Sequence, residues 1–598
     1  MEFEQKAEEK KMSMSKNIAR LAVTAGLTAA LSFGGVMAPV TMAFAEGVPT
    51  VATEKGKVFI TDPDTEYTET SFKGIQIFKA TVTQNKDEGV WTGDKTLSDI
   101  AWANNSVMNA VTTAFDTDEP KPAGFPTDAD AKSPQAWAQF IKKHGNDKDG
   151  NNVNAGSVLD KIAAALEDSK DSNLTWAKPS SSNKGNFESL DQGYWLFLTD
   201  VPSKTGNTDV YTSPIFTIVG GSDVNVAPKK SVPNVTKAVK DDATNATFNK
   251  SADSRMDQPI KYQLAGTVAS NINTYSTYAY SFTDNLPGSM TVKCDEDGSP
   301  IVDVKIDGKT VKADPASGYT KSYSGGVLTV SFVDLKSCVD EKDNAISVNG
   351  SSNVTVEYEA KLDSTKIFDD KGKIKDAFQG LVGKPQKNTV TLTYSNNPHG
   401  NGTGTTVEHS AYDYTYGIDV TKVGSDDENK GLAGVEFTLQ EQGDDGNYIK
   451  ADGTKTPDSE QAKLTTDASG KINVVGLDEG TYVLTEVKPA PGYNNSHSAG
   501  ITFTITRGAL PADDTTVVNP GCTLANVTDE NLVKVAQTNT EAADGKVHLT
   551  VTDQQGFGLP LTGLNGVTFT WIAGGAVLCI GVAHLIRSRK QAEESEQE

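Results

Sequence analysis

Histidine and cysteine are scarce in this chain, at six and four residues among 598. The histidines are scattered, with no HExxH, and no cysteines stand as CxxC, so no metal-ligand spacing is present. Cys294, Cys338, Cys522 and Cys579 are too few for a disulfide-dense scaffold. Cys294 and Cys338 fall within one stretch of strands and could pair. Positive charge is also short: 55 Lys and Arg face 79 Asp and Glu, for a net charge of -24. With aromatics at 7% as well, no broad basic or stacking surface is available, which excludes nucleic acid as a partner. GxSxG is absent, as is any paired Cys/His motif, so a hydrolytic enzyme gains little support. Acidic stretches such as DKDG read as loops rather than calcium sites, and no cofactor is expected.

What the chain does have begins at its two ends. Lys16 and Arg20 precede an apolar stretch from Leu21, which closes on Ala43-Phe44-Ala45. This is the layout of a secretory signal peptide over 1–45, cut before Glu46. An uncleaved anchor is the alternative, and Met12 or Met14 are alternative starts. Near the other end, 567–586 is an apolar run long enough to cross a bilayer as a helix. Arg587, Arg589 and Lys590 follow and would hold the tail in the cytoplasm. Leu559-Pro560-Leu561-Thr562-Gly563 stands just before the run.

Together these parts, 559–598, resemble the LPxTG cell-wall sorting signal of Gram-positive surface proteins; a plain membrane anchor is the simpler reading. The resemblance implies a sortase substrate held at the membrane by its span. The sortase cysteine would attack the Thr562 carbonyl, break the Thr562–Gly563 bond and leave a thioester for an amine to resolve.

Between the ends, turns and strand-like runs divide the chain into three. Residues 46–228 combine strands (GKVFIT, GIQIFKATV, GYWLFLTD, SPIFTIVG) with two predicted helices. SPQAWAQFIKKHG has Ser133 as N-cap, Pro134 in the first turn and Gly145 at the stop. SVLDKIAAALEDSK puts Leu159, Ile162 and Leu166 on one face. Residues 229–412 and 413–558 are series of short alternating strands separated by Gly, Asn and Asp. They predict a mainly β chain of tandem immunoglobulin-like β-sandwiches, with helical insertions in the first unit and a C-terminal transmembrane helix.

Several charged residues fall on the wrong face of these strands. Residues two apart share a face. Lys237 therefore points inward with Val235 and Val239, Asp284 with Phe282 and Leu286, and Asn388 with Val390, Leu392 and Tyr394. Lys422 lines up with Ile418 and Val420, Glu486 with Tyr482 and Leu484, and Asp553 with Val547, Leu549 and Val551. Burying such groups is costly unless they satisfy one another. Desolvation favours a neutral lysine amine and a neutral acid, and that amine can attack a side-chain carbonyl.

These residues, with the TEVKPAPGY motif, resemble the self-crosslinking domains of Gram-positive sortase-assembled major pilins, of the SpaA/FimA type. The middle segment looks like a fimbrial isopeptide-forming D2 domain and the last like a Cna-B (SpaA-type) domain. The resemblance implies Lys237–Asn388 and Lys422–Asp553 isopeptide bonds promoted by Asp284 and Glu486. Each would be a single autocatalytic event, so the chain is a structural protein and not an enzyme. Asp553 departs from the more frequent Asn of the family. The long segment before the last strand offers Asn526 as a rival acceptor. Lys79 in IFKATV lies on a strand with no identified partner.

Between the first two segments, VNVAPKK resembles the pilin motif, with Ala227 in place of the usual tyrosine. The resemblance implies that Lys229, or its neighbour Lys230, is the amine that attacks the Thr562 thioester of another subunit. The partners implied are a class C-type pilin sortase, a housekeeping sortase, identical subunits, peptidoglycan and host surface ligands. The expected protein is a wall-anchored subunit of a covalent surface pilus, supporting adhesion. The alternative is an unpolymerised wall-anchored adhesin or an ancillary pilin; no DxSxS-type adhesion motif occurs.

Overall fold

The computed structural model describes residues 47–556, except 62–69, 146–147, 150–151, 181–183, 202–210, 229–230, 244–245, 399, 401, 445, 514–520, 529–531 and 536–543. The leader, Lys229, Lys230, the motif 559–563 and the apolar run 567–586 lie outside the described residues. Among the described residues no helix is long and apolar enough to cross a membrane.

The fold is mainly β, with sandwich-type units in series. In the N-terminal unit the strand Ser71–Asp87 turns back through Glu88 and Gly89 into Val90–Trp102. Both turn residues have positive φ, 45° and 89°, as a two-residue hairpin turn with the strand twist requires. Gly193–Val201 and Ile215–Val219 continue this sheet on the other side of Ser71–Asp87. The helices Pro134–Lys143 and Val158–Asp168 form where expected, capped by the side chains of Ser133 and Ser157. Their apolar faces, including Trp137, Ile141, Leu159, Ile162 and Leu166, pack into one core with Ile75, Ile77 and Leu196. A further helix, Asn105–Thr113, is capped by Asn104 and buries only Val107 and Val111. Lys79 is exposed and contributes nothing to that core.

The middle unit is two facing sheets. One runs Val235–Lys240, Ile260–Thr267, Asn353–Leu362 and Val302–Ile306 in that order. The other runs His409–Tyr414, Gln386–Ser395, Tyr280–Asn285 and Val327–Phe332. Burial alternates along these strands, so Lys237 faces in and Lys240 out. Cys294 and Cys338, which could have paired, are both free thiols. Each sulfur turns toward its own local carbonyls. Cys294 approaches Val292 O at 3.6 Å, and Cys338 approaches Asp334 O at 3.9 Å.

Thr415 alone separates the strand His409–Tyr414 from Tyr416–Gly424, which opens the C-terminal unit. Here Tyr416–Gly424 lies between Lys471–Leu477 and the closing strand Lys546–Asp553, pairing parallel with the latter. The facing sheet is built on Glu436–Glu441, Gly480–Lys488 and Ile501–Arg507. Middle and C-terminal units are joined by polar contacts. Arg507 binds Asp241, Asp253 and Glu479, the last at 2.9 Å, and Met256 N donates to Gly476 O at 2.9 Å.

Candidate crosslinking sites

In the middle unit, strand alternation sends Lys237 into the core from one sheet, and Asp284 and Asn388 from the other. All three are completely buried. Asp284 pairs across the ladder with Val390, so Asn388, two residues earlier on the same face, is its diagonal neighbour. Lys237 Nζ donates to Asp284 Oδ2, and also to the hydroxyl of Tyr358 at 3.0 Å. That hydroxyl donates to Asp284 Oδ2 at 2.9 Å and accepts from Asn388 Nδ2 at 2.8 Å. The Lys237 ammonium also sits over two rings, 5.2 Å from the centroid of Tyr262 and 5.3 Å from that of Tyr358. Burial lowers the Lys237 pKa to about 8, opposed by the carboxylate of Asp284. Burial raises that of Asp284, opposed by Lys237. Both shifts favour the uncharged forms that aminolysis of an amide needs.

The C-terminal unit builds a second cluster differently. Lys422 and Asp553 lie on adjacent parallel strands of one sheet, where Gly424 is opposite Asp553. Lys422 Nζ binds Asp553, and the Glu486 carboxylate reaches it at 3.2 Å from the facing sheet. Lys422 and Asp553 are fully buried and Glu486 is 1% exposed. Burial pushes the Glu486 pKa up to about 7, with Lys422 opposing and Asp553 adding to the rise. Asn526, the rival acceptor, is exposed beyond the strand Cys522–Ala525.

Sequence alternation led to six of these side chains and missed three neighbours. Tyr262 and Tyr358 lie on inward positions of strands, where an aromatic reads as ordinary core; nothing in the pattern reveals what a hydroxyl touches. His497 is buried in the loop after Gly480–Lys488, where no periodicity applies. Its Nε2 is 3.1 Å from Thr552 O and 3.9 Å from Asp553 Oδ1. The VNV of the linker forms the strand Val224–Val226, parallel to Gly56–Ile60.

Residues 417–520 match the model of the SpaA prealbumin-like fold domain. The matched stretch contains Lys422 and Glu486 and stops short of Asp553. No curated protein matches the chain. Among solved structures, the chain is similar to the T6 backbone pilin of serotype M6 Streptococcus pyogenes, at 14% identity and a TM-score of 0.48, covering 84% of this chain and 98% of that one. It is also similar to the full-length major pilin SpaD of Corynebacterium diphtheriae, at 15% identity and a TM-score of 0.42, with 84% and 98% covered. BcpA, the major pilin subunit of Bacillus cereus, aligns at 14% identity and a TM-score of 0.37, with 84% and 99% covered.

Proposed function

We propose that this chain is a structural subunit of a covalent, wall-anchored surface pilus, stiffened by two intramolecular isopeptide bonds. The observation that carries the reading is the pair of buried clusters. In each, a buried lysine near the start of its unit binds a buried acid; in the middle unit the amide of Asn388 joins the cluster through the hydroxyl of Tyr358, and in the C-terminal unit Asp553 binds the lysine directly. In the middle unit the Lys237 amine displaces ammonia from Asn388; in the C-terminal unit the Lys422 amine displaces water from Asp553. Asp284 and Glu486 act as the promoting acids, each once per molecule. The match of 417–520 to the SpaA prealbumin-like domain supports the reading for the C-terminal unit.

The polymerisation reading rests on two sequence motifs, the LPLTG at 559–563 and the VNVAPKK of the linker. A sortase splits Thr562–Gly563, and the amine of Lys229 in a neighbouring subunit resolves the thioester. Repetition gives an open, head-to-tail filament, finally attached to peptidoglycan and supporting adhesion. Tension then runs from the start of each unit to its tied strand, through the isopeptide and onward. The sandwich between is spared.

The test is a blot of wall extract boiled in detergent and reductant, comparing the wild type with Lys229→Ala. A high-mass ladder that collapses to monomer in the variant is expected. A ladder that persists moves the role to Lys230 or another lysine. A single wall-linked band in the wild type, with the sortase expressed, refutes polymerisation and leaves a solitary adhesin.

A further inference from the structure

The hydroxyl of Tyr358 touches each group that reacts in the middle unit, and the crosslinking chemistry as stated gives it no task. It accepts from Lys237 Nζ at 3.0 Å and from Asn388 Nδ2 at 2.8 Å, and donates to Asp284 Oδ2 at 2.9 Å. Among the described residues Asp284 itself makes no hydrogen bond to Asn388. That leaves a chemical gap. An amide nitrogen departs only once it is protonated, and the acid that holds the proton does not reach it. We infer that Tyr358 is the proton relay of this reaction, delivering to the leaving nitrogen of Asn388 the proton that Asp284 gives up. The inference rests on the crosslinking reading above.

The steps balance. The neutral Lys237 Nζ bonds to Asn388 Cγ, and the carbonyl electron pair moves onto Oδ1. With Asp284 entering as the neutral acid and Nδ2 carrying a lone pair once Cγ is tetrahedral, both hydrogen bonds reverse: Asp284 passes its proton to Tyr358 Oη while the hydroxyl proton of Tyr358 moves to Nδ2. The carbonyl re-forms, the Cγ–Nδ2 bond breaks and ammonia leaves. Asp284 then takes the surplus proton from Lys237 Nζ, so acid and phenol end as they began.

The surroundings suit a relay. Burial holds the Tyr358 hydroxyl well above its ordinary pKa, so the phenol keeps its proton to pass on. Its ring is stacked on Tyr262, with centroids 5.4 Å apart and planes 14° from parallel, which fixes where the hydroxyl points. The C-terminal unit has a different arrangement: Lys422 meets Asp553 directly, with Glu486 at 3.2 Å from the same amine. It therefore serves as a control within the same molecule.

The experiment follows formation of both crosslinked peptides by mass after pulse synthesis of the full chain. Tyr358→Phe keeps the ring and removes the hydroxyl. Lys237–Asn388 bond formation should slow by about 10²-fold or more, the low end for general acid–base catalysis, while Lys422–Asp553 forms at its normal rate. Adding Tyr358→Phe to Asp284→Asn should cost nothing further, because relay and acid act on one proton. Fluorotyrosine placed at 358 retains the fold and the hydrogen bonds, and should change the rate through its acidity alone. An unchanged rate in Tyr358→Phe overturns the relay, as does an additive loss in the double variant or no response to fluorotyrosine. Absence of the bond in the wild type overturns the crosslinking reading itself.

Discussion

Glu486→Gln separates the covalent contribution in the C-terminal unit from the electrostatics around it. The glutamine amide has the shape of the neutral acid, the form favoured by a pKa pushed up to about 7. The substitution leaves the Lys422–Asp553 ion pair in place and removes the promoting proton together with the second acid, 3.2 Å from Lys422 Nζ. Lys422 and Asp553 are 131 residues apart in the chain. Closing a loop of that length removes unfolded-state entropy worth about 5 kcal/mol, by analogy with a disulfide. For a unit of this size each kcal/mol moves the melting temperature by about 3–4 °C, so the C-terminal transition should fall by roughly 15–20 °C. Peptide mass spectrometry and calorimetry on the same sample are the assay: the variant should retain the water that the crosslink expels, apart from the change of about 1 Da made by the substitution itself, and melt earlier. A crosslink that still forms would refute the role of Glu486. A lost crosslink with a melting point unmoved by more than a few degrees would refute the loop-closure argument.

Two further expectations concern the joint between the middle and C-terminal units. Arg507→Gln leaves Asp253, 1% exposed, without its cation. Losing a buried partner costs several kcal/mol, but the arginine side chain is 28% exposed, so solvent screening reduces this to about 1–3 kcal/mol. Limited proteolysis should then cut between the units faster than in the wild type; an unchanged digestion rate would refute the role. The same joint should be pH-sensitive. Burial raises Asp253 to about 6, and burial also raises Asp413 and Asp478. At Asp241 burial pushes the carboxyl up, but the hydrogen bond from Arg507, that from Ala243 N and the Arg507 charge together hold it low. A carboxyl raised in the folded state binds its proton there more tightly than when unfolded. Stability from Asp253 is therefore fullest below the ordinary Asp pKa and is lost as pH rises through about 6. Thermal unfolding between pH 5 and 7.5 should show a lower melting point at the higher pH, and Asp253→Asn should flatten that trend.

The two clusters were legible in the sequence because a strand with one buried face leaves each residue only two places to point. Lys237, Asp284 and Asn388 fall on the core parity of their strands, as do Lys422, Glu486 and Asp553. Alternation names a face but not the strand opposite it. It could not tell that Asn388 meets Lys237 only through a tyrosine across the core, or that Asp553 joins Lys422 along a parallel pair. Val90–Trp102 escaped notice because its residues are mostly exposed or half-buried and it follows a hairpin turn of Glu and Gly. The helix Asn105–Thr113 escaped because two buried valines make a weak apolar stripe. Whether Cys294 and Cys338 pair was left open by the sequence, because sharing a unit says nothing about which way a thiol turns; both are free thiols.

The closing strand Lys546–Asp553 returns beside the first strand of its unit, after a long excursion that includes 508–545. If Lys422 is bonded to Asp553 as proposed, the length that the unit would add to a filament is set by a few residues at its two ends. Within the excursion, Cys522–Ala525 and Val533–Val535 each pair into a sheet of the unit, so those two strands are held by the fold, and a change in length between them need not alter the repeat. In the proposed filament, the spacing of subunits would then be fixed by the tie between first and last strands rather than by the residues that connect them.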